Sequence, residues 1–237
     1  MSPPEKELPP ILPGVHLVGT PIGNLEDITL RALRVLGAAG VLAAEDTRVT
    51  RKLFQRYNLK APKTIYACNA HNEEKIARKL ADLAAAGETV VFASDAGMPG
   101  ISDPGRRIVR AALESGVNVE VIPGPSAVTT ALAICGLNAA SFTFLGFPSR
   151  RDGRLSTELI RHGQLAPAMV FYESPRRLVR LLAMAREILG AERDAAICIE
   201  LTKKFERVFR GKLEELAKQF AGTEVRGEIV VVISGQV

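Results

Sequence analysis

The chain has 237 residues, of which 47% are apolar and 5% aromatic, and it contains no tryptophan. This length fits one large domain or two smaller ones, and the apolar content is enough for a packed core. A formal net charge of +5 and a pI of about 9.3 are compatible with an anionic partner such as RNA, although many ordinary soluble proteins are as basic.

The cysteines and the apolar runs argue against several classes of protein. Cys68, Cys135 and Cys198 are far apart and form no CxxC pair or Cys/His cluster, so neither a disulfide framework nor a metal site is predicted. The apolar runs are too short to cross a membrane, and residues 1–12 carry no apolar signal region. We therefore expect a soluble cytoplasmic protein with a disordered tail over 1–12, no metal and no membrane partner.

The first half of the chain alternates strands and helices. Short β-type apolar runs predict strands, and apolar residues at helical spacing predict the helices between them. In chain order these are strand 15–19, helix 28–36, strand 40–44, helix 47–56, strand 64–67, helix 73–87, strand 90–93, helix 108–115 and strand 117–122. Strict alternation predicts an α/β domain over 13–123, with a parallel sheet covered by helices on both faces.

The second half has a different pattern. A helix is predicted from Pro125 to Cys135, and strands are predicted at 142–145, 168–172, 195–201, 206–210 and 228–233. The two strands around "ELTKKFERVFRG" are separated by few residues, which indicates a hairpin and antiparallel pairing. The sequence therefore predicts a second α/β domain over 124–237 with a mixed sheet.

Three loops rich in glycine and proline follow predicted strands: "GTPIGN" at 19–24, "SDAGMPG" at 94–100 and "PGPSA" at 123–127. Ligands of open parallel sheets bind beyond the carboxyl ends of the strands. Glycine lets the backbone approach a ligand closely, and proline reduces the entropy lost on binding. A single such loop is more often a tight turn, but three at one sheet edge indicate a ligand site.

The residues of these loops restrict the ligand. The chain has no GxxxxGK[ST] and no GxGxxG after its first strand, which disfavours the common nucleotide sites. Asp95 can accept hydrogen bonds from ribose hydroxyls or an ammonium group, and the backbone N–H groups of Ser126 and Ala127 can bind a carboxylate or an adenine edge. S-adenosylmethionine carries all four of these groups.

Longer motifs resemble those of a known family. They are "GTPIGNLEDITLRAL", "AEDTRVTRKL", "SDAGMPGISDPG", "VIPGPSAVTTALAICGL", "FLGFPSR", "FYESPRR", "ELTKKFE" and "GEIVVVI". In this order, and across nearly the whole chain, they resemble the small-subunit ribosomal RNA (cytidine-2′-O)-methyltransferases of the tetrapyrrole methylase superfamily. The resemblance implies a two-domain fold with S-adenosylmethionine in the cleft between the domains, a homodimer, and a cytidine in the decoding region of 16S ribosomal RNA as methyl acceptor.

The resemblance also implies donor-site residues. Matching by motif assigns donor binding to Pro21, Asp95, Ala96, Gly97, Met98, Ser126, Ala127 and Tyr172. Met98 and Cys135 depart from the pattern, which has smaller or hydroxyl residues there. Met98 cannot offer the donor a side-chain hydroxyl.

Transfer to a 2′-hydroxyl needs a group that accepts its proton, and the sequence leaves this group open. The candidates follow predicted strands and are Asp46, His71, Glu200 and Lys203, with Glu45, Glu73 and Glu173 beside them. Each has a structural alternative: Asp46 can cap a helix, a lone histidine is more often structural, and Glu173 can pair with Arg176 or Arg177.

Two basic groups of residues are candidates for contacts with RNA phosphates. One comprises Arg48, Arg51, Lys52 and Arg56 on a predicted helix; the other comprises Arg150, Arg151, Arg154, Arg176, Arg177 and Arg180. Either could instead be a solvated helix face. No RNP-type aromatic motif is present, so binding through shape and charge is expected, with RNA and not DNA as the partner.

Two other functions remain open from the sequence. A tetrapyrrole methylase would share the first and third loops but would not need the cationic helix around Arg48–Arg56. A non-catalytic ribosome-binding factor would keep the fold without binding the methyl donor.

Overall fold

A computed structural model describes residues 8 to 236, so the predicted disorder of residues 1–7 lies outside the described residues. The chain separates into two compact units, Met1–Pro125 and Ser126–Val237. No helix in the described part is both long and apolar enough to cross a membrane.

The first unit is a parallel α/β sandwich, as the alternation of elements predicts. Its elements are β1 (Gly14–Val18), α1 (Leu30–Gly37), β2 (Val41–Ala44), α2 (Thr47–Arg56), β3 (Thr64–Ala67), α3 (Glu73–Ala85), β4 (Thr89–Ala93), α4 (Arg106–Glu114) and β5 (Val119–Ile122), with a short 3₁₀ helix at Leu25–Asp27. The strand order is β3-β2-β4-β1-β5, and every pairing is parallel.

The sheet of the first unit is buried on both faces. Val90 and Phe92 of β4 point into a core with α3 and α4, whereas Val91 and Ala93 point into a core with α1 and α2. This two-residue period explains why β4 is apolar throughout. Because all five strands run the same way, the loops after them lie at one edge of the sheet.

The second unit is a mixed sheet, which confirms the predicted hairpin. It contains α5 (Ala127–Ile134), β6 (Phe142–Gly146), α6 (Asp152–Gly163), β7 (Ala168–Glu173), α7 (Pro175–Leu189), β8 (Asp194–Ile199), β9 (Arg207–Lys212), α8 (Leu213–Phe220) and β10 (Ile229–Ile233). The order is β6-β7-β10-β8-β9, and only β6 and β7 pair in parallel. One core packs α6, α7 and α8 against the sheet.

Candidate functional site

The first and second glycine-rich loops are joined at the carboxyl edge of the first sheet. Thr20 and Gly97 exchange two backbone hydrogen bonds of 3.0 and 3.1 Å. The Thr20 hydroxyl donates to the carbonyl of Ser94, and the Ser94 hydroxyl donates to the carbonyl of Gly97. Gly97 has a φ of +84°, a conformation that favours glycine, so the absence of a side chain at this position allows the second loop to turn here.

The first and third loops touch through glycine. A Cβ atom on Gly19 would lie 2.7 Å from the backbone nitrogen of Gly124 and 2.7 Å from Met98 Sδ. The Gly124 N–H donates to Met98 Sδ at 3.2 Å. The Met98 thioether therefore links the second loop to the third.

The far end of the second loop is also anchored. The Glu73 carboxylate accepts hydrogen bonds from the backbone N–H groups of Gly105 and Arg107, at 2.9 and 3.1 Å. These groups start α4, where a negative charge is favourable. Glu73 therefore has a structural contact, whereas His71 beside it is exposed in the turn that follows β3.

Asp95 lies in the middle of this arrangement. Its Oδ1 accepts a 2.8 Å hydrogen bond from the backbone N–H of Asp46, which follows the neighbouring strand β2. Its other oxygen, Oδ2, forms no hydrogen bond or ion pair with the residues from 8 to 236, and Ala96 beside it is exposed. Asp95 thus fixes the relative position of two strand ends and still has an oxygen available to a ligand.

Asp46 and Glu45 are adjacent, yet their environments shift their pKa values in opposite directions. Asp46 caps α2 and pairs with Arg48 at 2.6 Å, and the hydrogen bonds from Arg48 lower the pKa of Asp46 to about 2. Burial, followed by the charges of Asp103, Asp95 and Asp46, raises the pKa of Glu45 to about 6. Glu45 is therefore the better proton acceptor of the two near neutral pH.

Replacing Glu45 by glutamine is expected to stabilise the protein at pH 8 and to have no effect at pH 4. The folded-state pKa of Glu45 lies above its unfolded value, so folding is penalised above about pH 6, where the carboxylate is ionised, and not below the unfolded pKa. Thermal unfolding at both pH values measures this. The exposed Glu187→Gln serves as control; an equal gain in the two variants at pH 8 would contradict the assignment.

The predicted donor residues of the second unit begin with Ser126 and Ala127. Ser126 is the residue before α5, and its side chain does not cap the helix. Its carbonyl accepts from the N–H of Thr130, the normal start of a helix, so the N–H groups of the first turn have no partner within the helix. Such groups can bind a carboxylate or an adenine edge.

Tyr172 lies in an aromatic cluster at the end of β7. The Tyr172 ring meets Phe144 at 4.9 Å and Phe147 at 5.5 Å between centroids. Glu173 is buried, and one of its oxygens accepts from Arg177 at 2.8 Å and from the Ser174 N–H at 2.6 Å. The pairing with Arg177, one of the alternatives that the sequence left open, is the one observed.

The remaining catalytic candidates form an ion cluster in the loop between β8 and β9. Lys203 Nζ contacts Glu200 and Glu228, at 2.8 Å each. Burial lowers the pKa of Lys203, but these hydrogen bonds outweigh it and raise the pKa, while the bond from Lys203 lowers that of Glu200. Both groups are therefore held in their charged forms. The positive φ of Glu200 (54°) and Thr202 (65°) shows that the loop is strained.

The two basic groups differ in how many of their charges are already paired. All four cations of α2 are exposed, and within the described part of the chain Arg48 alone among them has an acidic partner. In the second group, Arg177 and Arg180 are paired with acids, whereas Arg150, Arg151, Arg154 and Arg176 are exposed and have no acidic partner among residues 8 to 236. RNA binding by any of them stays a prediction.

The described residues contain no group of three or more His, Cys, Asp and Glu side chains suited to a metal ion. The three cysteines are free and buried.

Comparisons with known proteins agree with this geometry. Residues 14–217 match the family described as Tetrapyrrole (Corrin/Porphyrin) Methylases. The fold is that of the methyltransferase CobJ (TM-score 0.70, 21% identity, 94% of each chain). It is also that of uroporphyrin-III C-methyl transferase from Thermus thermophilus complexed with S-adenyl homocysteine (TM-score 0.65, 23% identity, 93% of this chain and 97% of that one). The family match over residues 14–217, together with this fold, places the chain among the tetrapyrrole methylases.

Relatives of higher identity narrow the class. Two relatives are named "Ribosomal RNA small subunit methyltransferase I". The protein from Mesorhizobium japonicum is 44% identical to this chain over 97% of this chain and 78% of the relative. The protein from Thermotoga maritima is 41% identical over 93% of this chain and 97% of the relative. A third, from Mycobacterium tuberculosis, is 45% identical (92% and 76%). The chain belongs to the ribosomal RNA small subunit methyltransferase I family within the tetrapyrrole methylases.

Proposed function

We propose that this enzyme transfers the methyl group of S-adenosylmethionine to the 2′-hydroxyl of a cytidine in the decoding region of 16S ribosomal RNA. The observation that carries the proposal is the joined set of loops around Asp95, in a chain whose relatives are named as ribosomal RNA methyltransferases. Such a substrate would place the enzyme in the cytoplasm.

The residues of the first unit fit the polar groups of S-adenosylmethionine. Asp95 Oδ2, which has no hydrogen-bond partner among residues 8 to 236, can accept from ribose hydroxyls or the ammonium group, and the exposed Ala96 beside it leaves room for close approach. Pro21 is buried in the first loop, and the Met98 thioether links the second loop to the third. When bound, the donor supplies an activated methyl group, so orientation of the reactants can provide much of the acceleration.

The acceptor hydroxyl must lose its proton during transfer. Burial raises the pKa of Glu45 to about 6, which suits it to accept a proton near neutral pH, whereas hydrogen bonds lower the pKa values of Asp46 and Glu200 and make them weaker bases. We assign proton acceptance to Glu45 as part of the proposal. The Glu45→Gln protein should then retain donor binding while its transfer rate falls.

The decisive experiment measures transfer of labelled methyl from S-adenosylmethionine to small ribosomal subunits, followed by digestion to nucleosides. Label in 2′-O-methylcytidine is the expected result. Label in another nucleoside would overturn the acceptor assignment. Donor binding without transfer to RNA would favour a tetrapyrrole or another small acceptor, and a protein without donor binding would be a ribosome-binding factor.

Replacing Lys52 by glutamate is expected to weaken binding to small subunits several-fold while leaving donor affinity unchanged. Lys52 lies in the middle of the exposed cations of α2 and has no acidic partner among the described residues. Loss of one phosphate contact should also lower the slope of log affinity against log salt concentration by about 1.

The matched control for this variant is Lys63→Glu. Lys63 is exposed and precedes β3, so it lies at the opposite edge of the same sheet. Binding is measured by sedimentation at several salt concentrations. If the two variants bind equally well, the cationic surface of α2 is only a solvated helix face.

A further inference from the structure

Phe147 is an aromatic side chain that the proposed function does not yet use. It follows the end of β6, and 59% of its surface is exposed. A single exposed apolar residue needs no explanation by itself. Phe147 differs because hydrogen bonds fix the loop that follows it, and because Arg150, Arg151 and Arg154, which have no acidic partner among the described residues, come shortly after it in the sequence.

The backbone on both sides of Phe147 is fixed. Gly146 has a φ of +67° and lies at an irregularity in the pairing of β6 with β7, which turns the chain out of the sheet. Pro148 on the other side is buried. The ring itself rests against Tyr172, with 5.5 Å between centroids and planes inclined at 58°.

Arg180 of α7 holds the following residues in place. Its guanidinium donates to the carbonyls of Ser149 and Arg150, at 3.2 and 3.3 Å, and pairs with Asp152 at 2.5 Å. This charge is used to fix the loop. The neighbouring guanidinium groups of Arg150, Arg151, Arg154 and Arg176 are exposed and have no acidic partner among residues 8 to 236.

The Phe147 ring is exposed, the loop after it is fixed by hydrogen bonds, and exposed arginines follow it in the sequence. These features suit a single-stranded nucleic acid as ligand. Single-stranded nucleic acids bind by stacking bases on aromatic rings while cations hold the phosphates. A flat ring offers its face to any base, and a loop already fixed loses little entropy on binding.

We propose that Phe147 is a stacking platform for an unpaired base of the substrate RNA, with Arg150, Arg151, Arg154 and Arg176 contacting the adjoining phosphates. This inference rests on the proposed function and goes beyond it, because it assigns base stacking to an enzyme expected to bind through shape and charge alone. The same face could instead contact a second copy of this chain, and the test separates the two.

The absence of tryptophan from the chain allows a direct test. The Phe147→Trp variant carries a single indole whose fluorescence a stacked base quenches. The control is Phe142→Trp, because Phe142 is exposed at the start of the same strand and therefore lies at the opposite edge of the sheet. Titration with small ribosomal subunits should quench the first variant, less so at higher salt, and leave the second unchanged.

Kinetics give a second, independent readout. Phe147→Leu keeps an apolar side chain but removes the aromatic face, so KM for small subunits should rise by roughly tenfold with donor affinity unchanged, and Phe147→Trp should restore it. Phe142→Leu should behave as the unsubstituted protein does.

Three results would overturn the inference. The first is equal quenching of both tryptophan variants, or none, while sedimentation shows that subunits bind. The second is unchanged KM in Phe147→Leu. The third is emission that shifts with protein concentration without RNA, which would indicate contact between copies. If the unsubstituted protein methylates no RNA, the proposed function fails instead.

Discussion

Replacing Asp95 by alanine is expected to weaken the binding of S-adenosylmethionine by on the order of 100-fold. A hydrogen bond to a charged group contributes about 1.5–3 kcal/mol, and Asp95 Oδ2 is the acceptor that we propose for the donor's hydroxyl or ammonium groups. Calorimetric titration with S-adenosylmethionine or S-adenosylhomocysteine measures the change directly.

Asp95 also accepts a hydrogen bond from the backbone of Asp46, so the choice of variants must distinguish a loss of donor binding from a loss of stability. Asp95→Asn keeps an oxygen that can accept from the Asp46 N–H but lacks the negative charge. Because burial raises the pKa of Asp95, Asp95→Asn should unfold at no lower a temperature than the unsubstituted protein near neutral pH, and it should still lose most donor affinity. Asp82→Ala, an exposed acid on α3, is the control. Full donor affinity in Asp95→Ala would place the donor elsewhere.

Replacing Gly19 by alanine is expected to have the second large effect. The new Cβ would lie 2.7 Å from the backbone nitrogen of Gly124, a distance that requires the two loops to move apart. Overpacking of this kind costs about 1–3 kcal/mol, and the displaced backbone should also abolish donor binding. Thermal unfolding and donor titration test both consequences.

Gly153→Ala is the matched control for Gly19→Ala. Gly153 is exposed in the first turn of α6, and a Cβ there would meet nothing within 4 Å. This variant should be at least as stable as the unsubstituted protein, because alanine is the better helix former. A Gly19→Ala protein that unfolds at an unchanged temperature would show that the two loops do not touch closely in solution.

The fold was largely predictable because its signals are local. Alternating apolar strands and amphipathic helices depend only on period, so α2 and β3 were predicted with the bounds that the structure has. Other boundaries moved by one to a few residues: α1 begins at Leu30 instead of residue 28, after Thr29 caps it. The parallel pairing of β6 with β7 was not predicted, because no helix was predicted between these two strands, where the structure has α6.

The candidate site was predictable only in part. The sequence by itself determined which residues follow the strands. The resemblance to a family then predicted that the loops bind S-adenosylmethionine. The sequence could not distinguish Glu45 from Asp46 as proton acceptor, since the two carboxylates differ only in the folded chain, where Asp46 pairs with Arg48 and Glu45 is partly buried near Asp103. Nor could the sequence show that the Glu73 carboxylate accepts a hydrogen bond from the backbone N–H of Gly105, at the start of α4.

The tertiary structure decided everything that depends on contacts between distant residues. Gly19 and Gly124 are more than one hundred positions apart, so only the folded chain shows why neither can carry a side chain. The loop after Phe147 likewise depends on a distant residue, because Arg180 of α7 donates a hydrogen bond to the carbonyl of Ser149. The periodicity of the sequence indicates which face of each helix or strand is buried. Only the packing of these elements decides which charged side chains are paired and which remain available to a ligand.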